Sequence, residues 1–427
     1  MLRRSALCLA GIALWPVPAG HAQKIVIIPG QVMTDEAADI RVTGLEPGAH
    51  ITLRADLIDG DYQAWASEAE FVAGPQGMVD LQAQAPVGGG YRIVSPMGLI
   101  WSMRPTSKDV HIYKPPHDLA SQMIHFHLLL NGAESSSAQL EQLAMRDDVR
   151  PVKVNGTLEG TLFLPAGDGK HPGVLVLGGS EGGMPVRRAA WLASHGYAAF
   201  ALCYFRCEGR PPQLENIPLE YFGQALGWMA QRPEIASDRL AVMGVSRGGE
   251  LALQLGSMFP DIKAVVAFVP SNVRNPSCCR QMPLPAWTWK GSPLAWAAPG
   301  SRGNAAAMMR ASIAVEFTHG PVLMIGGEAD GVWSSAEMVD SVAAHLRQAH
   351  FAYKVVVLKY PHAGHRAGLP EIIPAWHDAA PHPLSGLSTD YGGTPEGNAA
   401  STLDAIPRLL DFLAQNLQAA PAQPTAK

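Results

Sequence analysis

The stretch Leu240-Ala-Val-Met-Gly-Val-Ser-Arg-Gly-Gly-Glu250 constrains this chain more than any other. An apolar run of strand length, Leu240 to Met243, meets a helix-compatible segment carrying Leu251, Leu253, Leu255 and Met258, which Pro260 closes. The junction is a GxSxG frame with Ser246 at its centre. A strand that turns straight into a helix strains the residue at the bend. Its neighbours must carry little or no side chain, and Gly244 and Gly248 meet that need. The turn would lift the Ser246 hydroxyl clear of the sheet. It would also aim the Arg247 amide, at the positive end of the helix, toward the same point, where it could stabilise an oxyanion.

A serine hydroxyl becomes a nucleophile only when an imidazole takes its proton, and the imidazole needs a carboxylate to hold its tautomer. On an α/β-hydrolase scaffold the three follow in the order Ser, acid, His, each at the C-terminal end of a strand. After the strand Val322 to Ile325 comes Gly326-Gly-Glu-Ala-Asp330, which makes Asp330 the expected acid and Glu328 the reserve. After the strand Tyr353 to Leu358 comes Tyr360-Pro-His-Ala-Gly-His365, which offers His365 or His362 as base. A second oxyanion donor is expected from Gly178-Gly-Ser-Glu-Gly-Gly183, at the amide of Ser180 or Glu181. That loop has the glycine spacing of a phosphate-binding loop, but Met184 stands where such a loop requires Lys.

The 427 residues suit two domains, each with its own core. From Gln23 to residue 132 short alternating runs (Ile51, Leu53, Ala55, Leu57, and around Trp65–Phe71, Val79–Leu81, Tyr91–Val94 and Met123–Leu130) are separated by turn residues, the pattern of a β-sandwich. A polar, helix-compatible connector is expected from Glu134 to Arg150. From 150 to 418 strands alternate with helices, which implies a mostly parallel sheet covered by helices on both faces. The Ala/Pro/Gln-rich residues 419–427 read as a disordered tail. The segment Pro276 to Gly303, with Trp287, Trp289 and Trp296, is long for a connection and is expected to line or cover an acyl pocket.

The first 22 residues read as a secretory signal peptide. Arg3 and Arg4 precede the apolar Ala6 to Trp15, too short to span a bilayer, and Gly20-His-Ala22 is a small-x-small cleavage site. The mature chain is therefore expected in the periplasm or outside the cell, with no membrane span. Cys203, Cys207, Cys278 and Cys279 remain after cleavage, where disulfides persist. Cys203, in a strand-like run, is as readily a buried small hydrophobe as a bridge partner, and Cys278 and Cys279 are too close to pair with each other without strain. No spacing suggests a metal site. With a net charge of −5 and no basic run, nucleic acid is not an expected partner.

Several motifs together resemble the type I acyl-CoA thioesterases and bile acid-CoA:amino acid N-acyltransferases. They are Met97-Gly-Leu-Ile-Trp-Ser-Met103, Leu177-Gly-Gly-Ser-Glu-Gly-Gly183, Ile217-Pro-Leu-Glu-Tyr-Phe222, Gly244-Val-Ser-Arg-Gly248, Asp330 with Trp333-Ser334, and Pro361-His-Ala-Gly-His365. The resemblance implies an immunoglobulin-like N-terminal β-sandwich joined to a C-terminal α/β-hydrolase domain. It also implies Ser246, Asp330 and His365 as nucleophile, acid and base, with the Gly-His pair favouring His365. Members that transfer acyl groups tend to carry Cys at the nucleophile position, so Ser246 leans toward hydrolysis. The expected activity is cleavage of a small-molecule acyl thioester without a cofactor. A carboxylesterase or acyltransferase on the same scaffold, or a secreted binding protein with a vestigial hydrolase domain, are the competing readings.

Overall fold

The computed structural model describes residues 22–278, 283–298 and 300–417. The leader up to His21, the tail after Leu417 and Cys279 lie outside the described residues.

The C-terminal domain is built on an eight-stranded sheet. Its strands are β1 (Arg150–Val154), β2 (Glu159–Leu164), β3 (His171–Leu177), β4 (Ala198–Cys203), β5 (Ile235–Val245), β6 (Ile262–Phe268), β7 (Val322–Gly327) and β8 (Val355–Tyr360). They lie in the order β1-β2-β4-β3-β5-β6-β7-β8. β1 and β2 are antiparallel, β2 meets β4 antiparallel, and every pairing from β4 to β8 is parallel. The central strands are apolar without interruption because both faces are covered. On β5, Leu240 and Val242 enter one core and Ala241 and Met243 the other. Helices α2 (Glu220–Ala230), α3 (Arg247–Met258) and α4 (Ser335–Gln348) close the first face through Phe222, Leu251, Leu255 and Val339. Helices α1 (Val186–Ser194) and α5 (Pro395–Leu417) close the second through Trp191, Leu192, Leu409 and Leu413.

The N-terminal domain is made of a three-stranded and a seven-stranded sheet enclosing a shared core of Ile40, Val42, Leu53, Trp65, Phe71 and Phe126. Two expectations fail here. Residues Tyr91 to Val94 form no strand; Tyr91 turns inward, buried against Trp101 of the short helix Gly98–Trp101. The connector expected to be helical is instead the strand Ala133–Leu143, antiparallel to Gln122–Leu130. Asn131 and Gly132 take φ 51° and 79°, the two left-handed positions of a tight hairpin turn, and Asn-Gly is the sequence that best tolerates them. The serine-rich strand reads as a connector because its first half lies exposed at the sheet surface. The β-domain thus continues past residue 132, to Leu143.

The two domains share a core. Ile372 and Ile373, from the segment after His365, and Ala399 and Ile406 of α5 pack into the β-domain cluster. The Ile372 amide donates to the Thr34 carbonyl, the Ala375 amide to Trp101, and the Trp376 ring meets Trp65 at 6.0 Å. The chain that carries the histidine is therefore braced by the first domain.

Candidate active site

Ser246 sits between β5 and α3 with φ 57° and ψ −117°, a conformation that costs a side-chain-bearing residue of order 1–3 kcal/mol. The surroundings enforce it. A Cβ on Gly244 would come within 1.9 Å of the Gly248 carbonyl oxygen, and one on Gly248 within 2.3 Å of the Gly178 carbonyl oxygen. The Ser246 amide is tied to the Phe268 carbonyl at 2.9 Å, which fixes the bend against β6. Both expected glycines are thus required, and the second one presses the start of α3 against the loop after β3.

The ends of β7 and β8 bring the other two groups to this point. Ser246 Oγ lies 2.8 Å from His365 Nε2, and His365 Nδ1 lies 2.8 and 2.9 Å from the two oxygens of Asp330. With Nδ1–H donating to the carboxylate, Nε2 is left as the acceptor of the serine proton. The Asp330 carboxylate is fully buried, and its Oδ1 also accepts the amides of Val332 and Trp333 at 2.9 and 3.2 Å. His365 is fixed through its own amide, which donates to the Tyr391 carbonyl at 2.6 Å, and Gly364 donates to Asn398 at the start of α5. Trp333 meets the imidazole edge-on at 5.2 Å and Tyr391 lies over it at 6.4 Å. His362 is exposed, and its carbonyl accepts the Thr394 amide. Glu328 is exposed as well, so of the two pairs it is His365 that reaches the serine and Asp330 that reaches His365.

The glycine loop after β3 lies beside the bend, with the Gly179 Cβ position 3.3 Å from the Val245 carbonyl. Glu181 is exposed and folds back, its carboxylate accepting the Gly179 amide at 3.1 Å. Ser180 Oγ lies 3.0 Å from His382 Nε2, and burial pushes the His382 imidazole below its ordinary pKa. The Arg247 amide opens α3, where helix geometry supplies no partner.

Two roles were not visible in the motif. The Arg247 side chain lies in a buried ion pair: the guanidinium meets Glu250 at 3.1 Å, and the two side chains are 7% and 0% exposed. Arg247 donates to the carbonyls of Pro276 and Asn275, and Glu250 accepts from Trp287 Nε1 at 2.8 Å and from the Asn275 side chain at 2.9 Å. The long segment after β6 is thereby anchored directly behind Ser246. Its strand Trp287–Trp289 also pairs with Ile217–Pro218. The only sequence signal for this was an acid three residues after Arg247 inside an otherwise apolar helix face. The second feature is the Cys203–Cys207 disulfide at the end of β4; Cys278 is disulfide-bonded as well.

This sheet order, with the serine between β5 and a helix and the acid and histidine after β7 and β8, defines an α/β hydrolase, and the chain is an enzyme of that class. Residues 35–156 match the family described as acyl-CoA thioester hydrolase/BAAT N-terminal region, and residues 217–419 its counterpart, BAAT / acyl-CoA thioester hydrolase C terminal. Among its relatives, acyl-coenzyme A thioesterase 6 of Homo sapiens is 30% identical over 417 residues, covering 93% of this chain and 97% of that one. The protein of the same name in Mus musculus is 31% identical, covering 91% and 95%. Acyl-coenzyme A thioesterase 2, mitochondrial, of Homo sapiens is 30% identical, covering 94% and 86%. The chain belongs to the acyl-CoA thioester hydrolase/BAAT family.

Proposed function

We propose that this chain hydrolyses acyl thioesters through a covalent acyl-serine intermediate. The observation that carries the reading is the unbroken hydrogen-bonded line from Ser246 Oγ through His365 to the buried Asp330 carboxylate. Ser246 attacks the acyl carbonyl as His365 Nε2 takes its proton. The imidazolium that forms is held by Asp330, which keeps its charge. The tetrahedral oxyanion is received by the Arg247 amide, with a second amide from the Ser180–Glu181 stretch of the glycine loop, a donor pair worth several kcal/mol in reactions of this kind. His365 returns the proton to the leaving thiol, and water repeats the sequence against the acyl-enzyme. Every charge that develops meets a group of this chain, so the cycle runs without a cofactor.

Hydrolysis rather than transfer to an amine is supported by the serine at the nucleophile position and by relatives named thioesterases. The N-terminal domain, in the immunoglobulin-like role the family resemblance suggests, braces the segment after His365. We place the protein outside the cytoplasm, on the strength of the leader and of the Cys203–Cys207 disulfide, a bond that endures in oxidising compartments. Free coenzyme A esters are intracellular metabolites, and that location favours one second reading, an exported esterase acting on oxygen esters.

A matched panel separates the two: acyl-CoA thioesters against oxygen esters of the same acyl chains, with the mature chain and Ser246→Ala. Higher kcat/KM on thioesters, lost in the variant, supports thioester hydrolysis. Preference for oxygen esters replaces it with the esterase reading, and turnover that survives in Ser246→Ala removes both.

A further inference from the structure

The five residues Cys203 to Cys207 form a small ring closed by the disulfide at the C-terminal end of β4. Each residue inside the ring holds the glycine loop after β3. Tyr204, wholly buried, donates its hydroxyl to the Gly178 carbonyl at 2.7 Å. The Phe205 carbonyl accepts the Gly183 amide at 3.2 Å. Arg206 donates from its guanidinium to the Glu181 carbonyl at 2.7 Å. The packing is equally close: a Cβ at Gly182 would lie 2.8 Å from both the Phe205 ring and Arg206 Cβ. The loop from Gly178 to Gly183 is thus gripped at its start, middle and end by one covalently closed turn.

That turn does not hold its shape unaided. Arg206 sits at φ 60°, in the left-handed region where a side-chain-bearing residue is disfavoured, and its amide reaches out to the Pro211 carbonyl at 2.7 Å. Closing a short ring removes the extended alternatives the segment would otherwise sample and makes this conformation cheaper to keep. The anchor on the other side is firm, since the Cys203 carbonyl accepts the Tyr221 hydroxyl at 2.8 Å.

We propose that the Cys203–Cys207 disulfide is a redox-dependent positioning device, which acts through Tyr204, Phe205 and Arg206 to hold the glycine loop where its amide can meet the oxyanion. The inference rests on the reading of that loop as the second oxyanion donor. Reduction requires an external dithiol. Its thiolate opens the S–S bond by way of a mixed disulfide, two electrons and two protons pass to Cys203 and Cys207 as thiols, and the reductant leaves as its own disulfide. The Ser246–His365–Asp330 line contains neither sulfur, and of the two only Cys203 belongs to the sheet, as the last residue of β4; opening the bridge leaves that strand paired, so the reduced enzyme keeps its fold and its nucleophile and loses the preset loop. Cys203, Cys207 and Arg206 are positioning residues, touching the substrate through the loop alone.

The test compares the oxidised mature chain, the same chain after incubation with dithiothreitol, the pair variant Cys203→Ala/Cys207→Ser, and Arg206→Ala and Arg206→Lys. One readout is independent of substrate identity: the second-order rate at which a fluorophosphonate labels Ser246, a reaction that builds the same oxyanion. The other is kcat and KM on an acyl thioester, followed by direct loss of thioester absorbance, because a thiol reagent would report the reductant. The expected result is a fall in labelling rate and in kcat of roughly tenfold to a hundredfold on reduction, with KM and the circular dichroism spectrum little changed, the scale at which an oxyanion donor contributes. The pair variant reproduces the fall and no longer responds to dithiothreitol, which separates this bridge from the one at Cys278. Arg206→Ala lowers kcat in the same sense, Arg206→Lys recovers part of it, and combining Arg206→Ala with the pair variant adds little. A labelling rate unchanged by reduction and in the pair variant overturns the proposal. Rapid redox-sensitive labelling without thioester turnover overturns the thioesterase reading and leaves the positioning device standing.

Discussion

Arg247 and Glu250 form an ion pair at 3.1 Å, buried one turn into the helix that Ser246 opens. The pair couples the helix that follows Ser246 to the long segment after β6, because the guanidinium holds two of its carbonyls and the carboxylate holds Trp287 and Asn275. Removing one member strands a charge in the interior, at a cost of about 3–5 kcal/mol. Glu250→Ala is expected to lower the thermal midpoint by roughly 3–6 °C at this chain size, with activity lost in parallel at assay temperature. Calorimetry checks it. A midpoint within about a degree of the parent would show the pair to be dispensable.

Asp330 meets His365 Nδ1 with both carboxylate oxygens, which on the proposed mechanism holds the imidazole in the tautomer that leaves Nε2 to accept the serine proton. Asp330→Asn keeps one oxygen for the Val332 and Trp333 amides and preserves the local turn, but its amide can face His365 Nδ1 as a donor. We expect kcat to fall by roughly 10⁴-fold with little change in KM or thermal midpoint. A drop confined to KM, or a fall below tenfold, would assign the carboxylate a structural part only.

Gly248 is the position at which the helix start and the loop after β3 meet. Gly248→Ala puts a methyl 2.3 Å from the Gly178 carbonyl oxygen, so one of the two must shift. The expected cost is about 1–3 kcal/mol of stability, with a fall in kcat that exceeds what partial unfolding explains. Gly196→Ala serves as a comparison: its Cβ would meet nothing within 4 Å, and its φ of 91° leaves backbone strain as the whole penalty. Thermal midpoints and kcat of the two variants test the assignment, which fails if Gly248→Ala is the more active of the pair.

His195, at the end of α1, meets Asp35 of the β-domain at 3.1 Å. Burial works against the charged imidazole, but the hydrogen bond and charge of Asp35, with the Trp191 carbonyl, outweigh it, and the pKa of His195 is raised above its ordinary 6.5. A raised folded-state pKa means a contribution to stability that is complete below the unfolded value and lost as pH climbs through the folded one. Stability of the parent relative to Asp35→Asn should therefore shrink from pH 6 upward and level off once His195 is neutral. Parallel denaturant titrations over that range check it, and a difference independent of pH would contradict the assignment.

Much of this site was legible because its signals are local. A strand, a serine between glycines and a helix must follow one another in the chain, and the acid and base come at strand ends in a fixed order. The choice of His365 over His362 and of Asp330 over Glu328 is a matter of which side chain turns inward from the same loop. The residues themselves ranked Asp330 ahead of Glu328 and left His365 and His362 open; in the structure His365 lies 2.8 Å from Ser246 and 2.8 Å from Asp330. The strand Ala133–Leu143 was hidden by its exposed serines, although Asn131-Gly132 announced the hairpin. The contacts that tie the Arg247–Glu250 pair to residues 275–287, and the bridged turn around Tyr204 to the glycine loop, join segments far apart in the sequence, and no periodicity in either partner encodes them.

The central claim is that Ser246 carries the acyl group. The most direct measurement is to mix the mature chain with excess acyl thioester, quench within one turnover, digest, and weigh the peptide that contains Gly244 to Gly249. The account predicts that peptide heavier by one acyl group, with the adduct absent from Ser246→Ala and slow to appear in His365→Ala. Turnover with no adduct on that peptide, or an adduct on another residue that survives in Ser246→Ala, would contradict it.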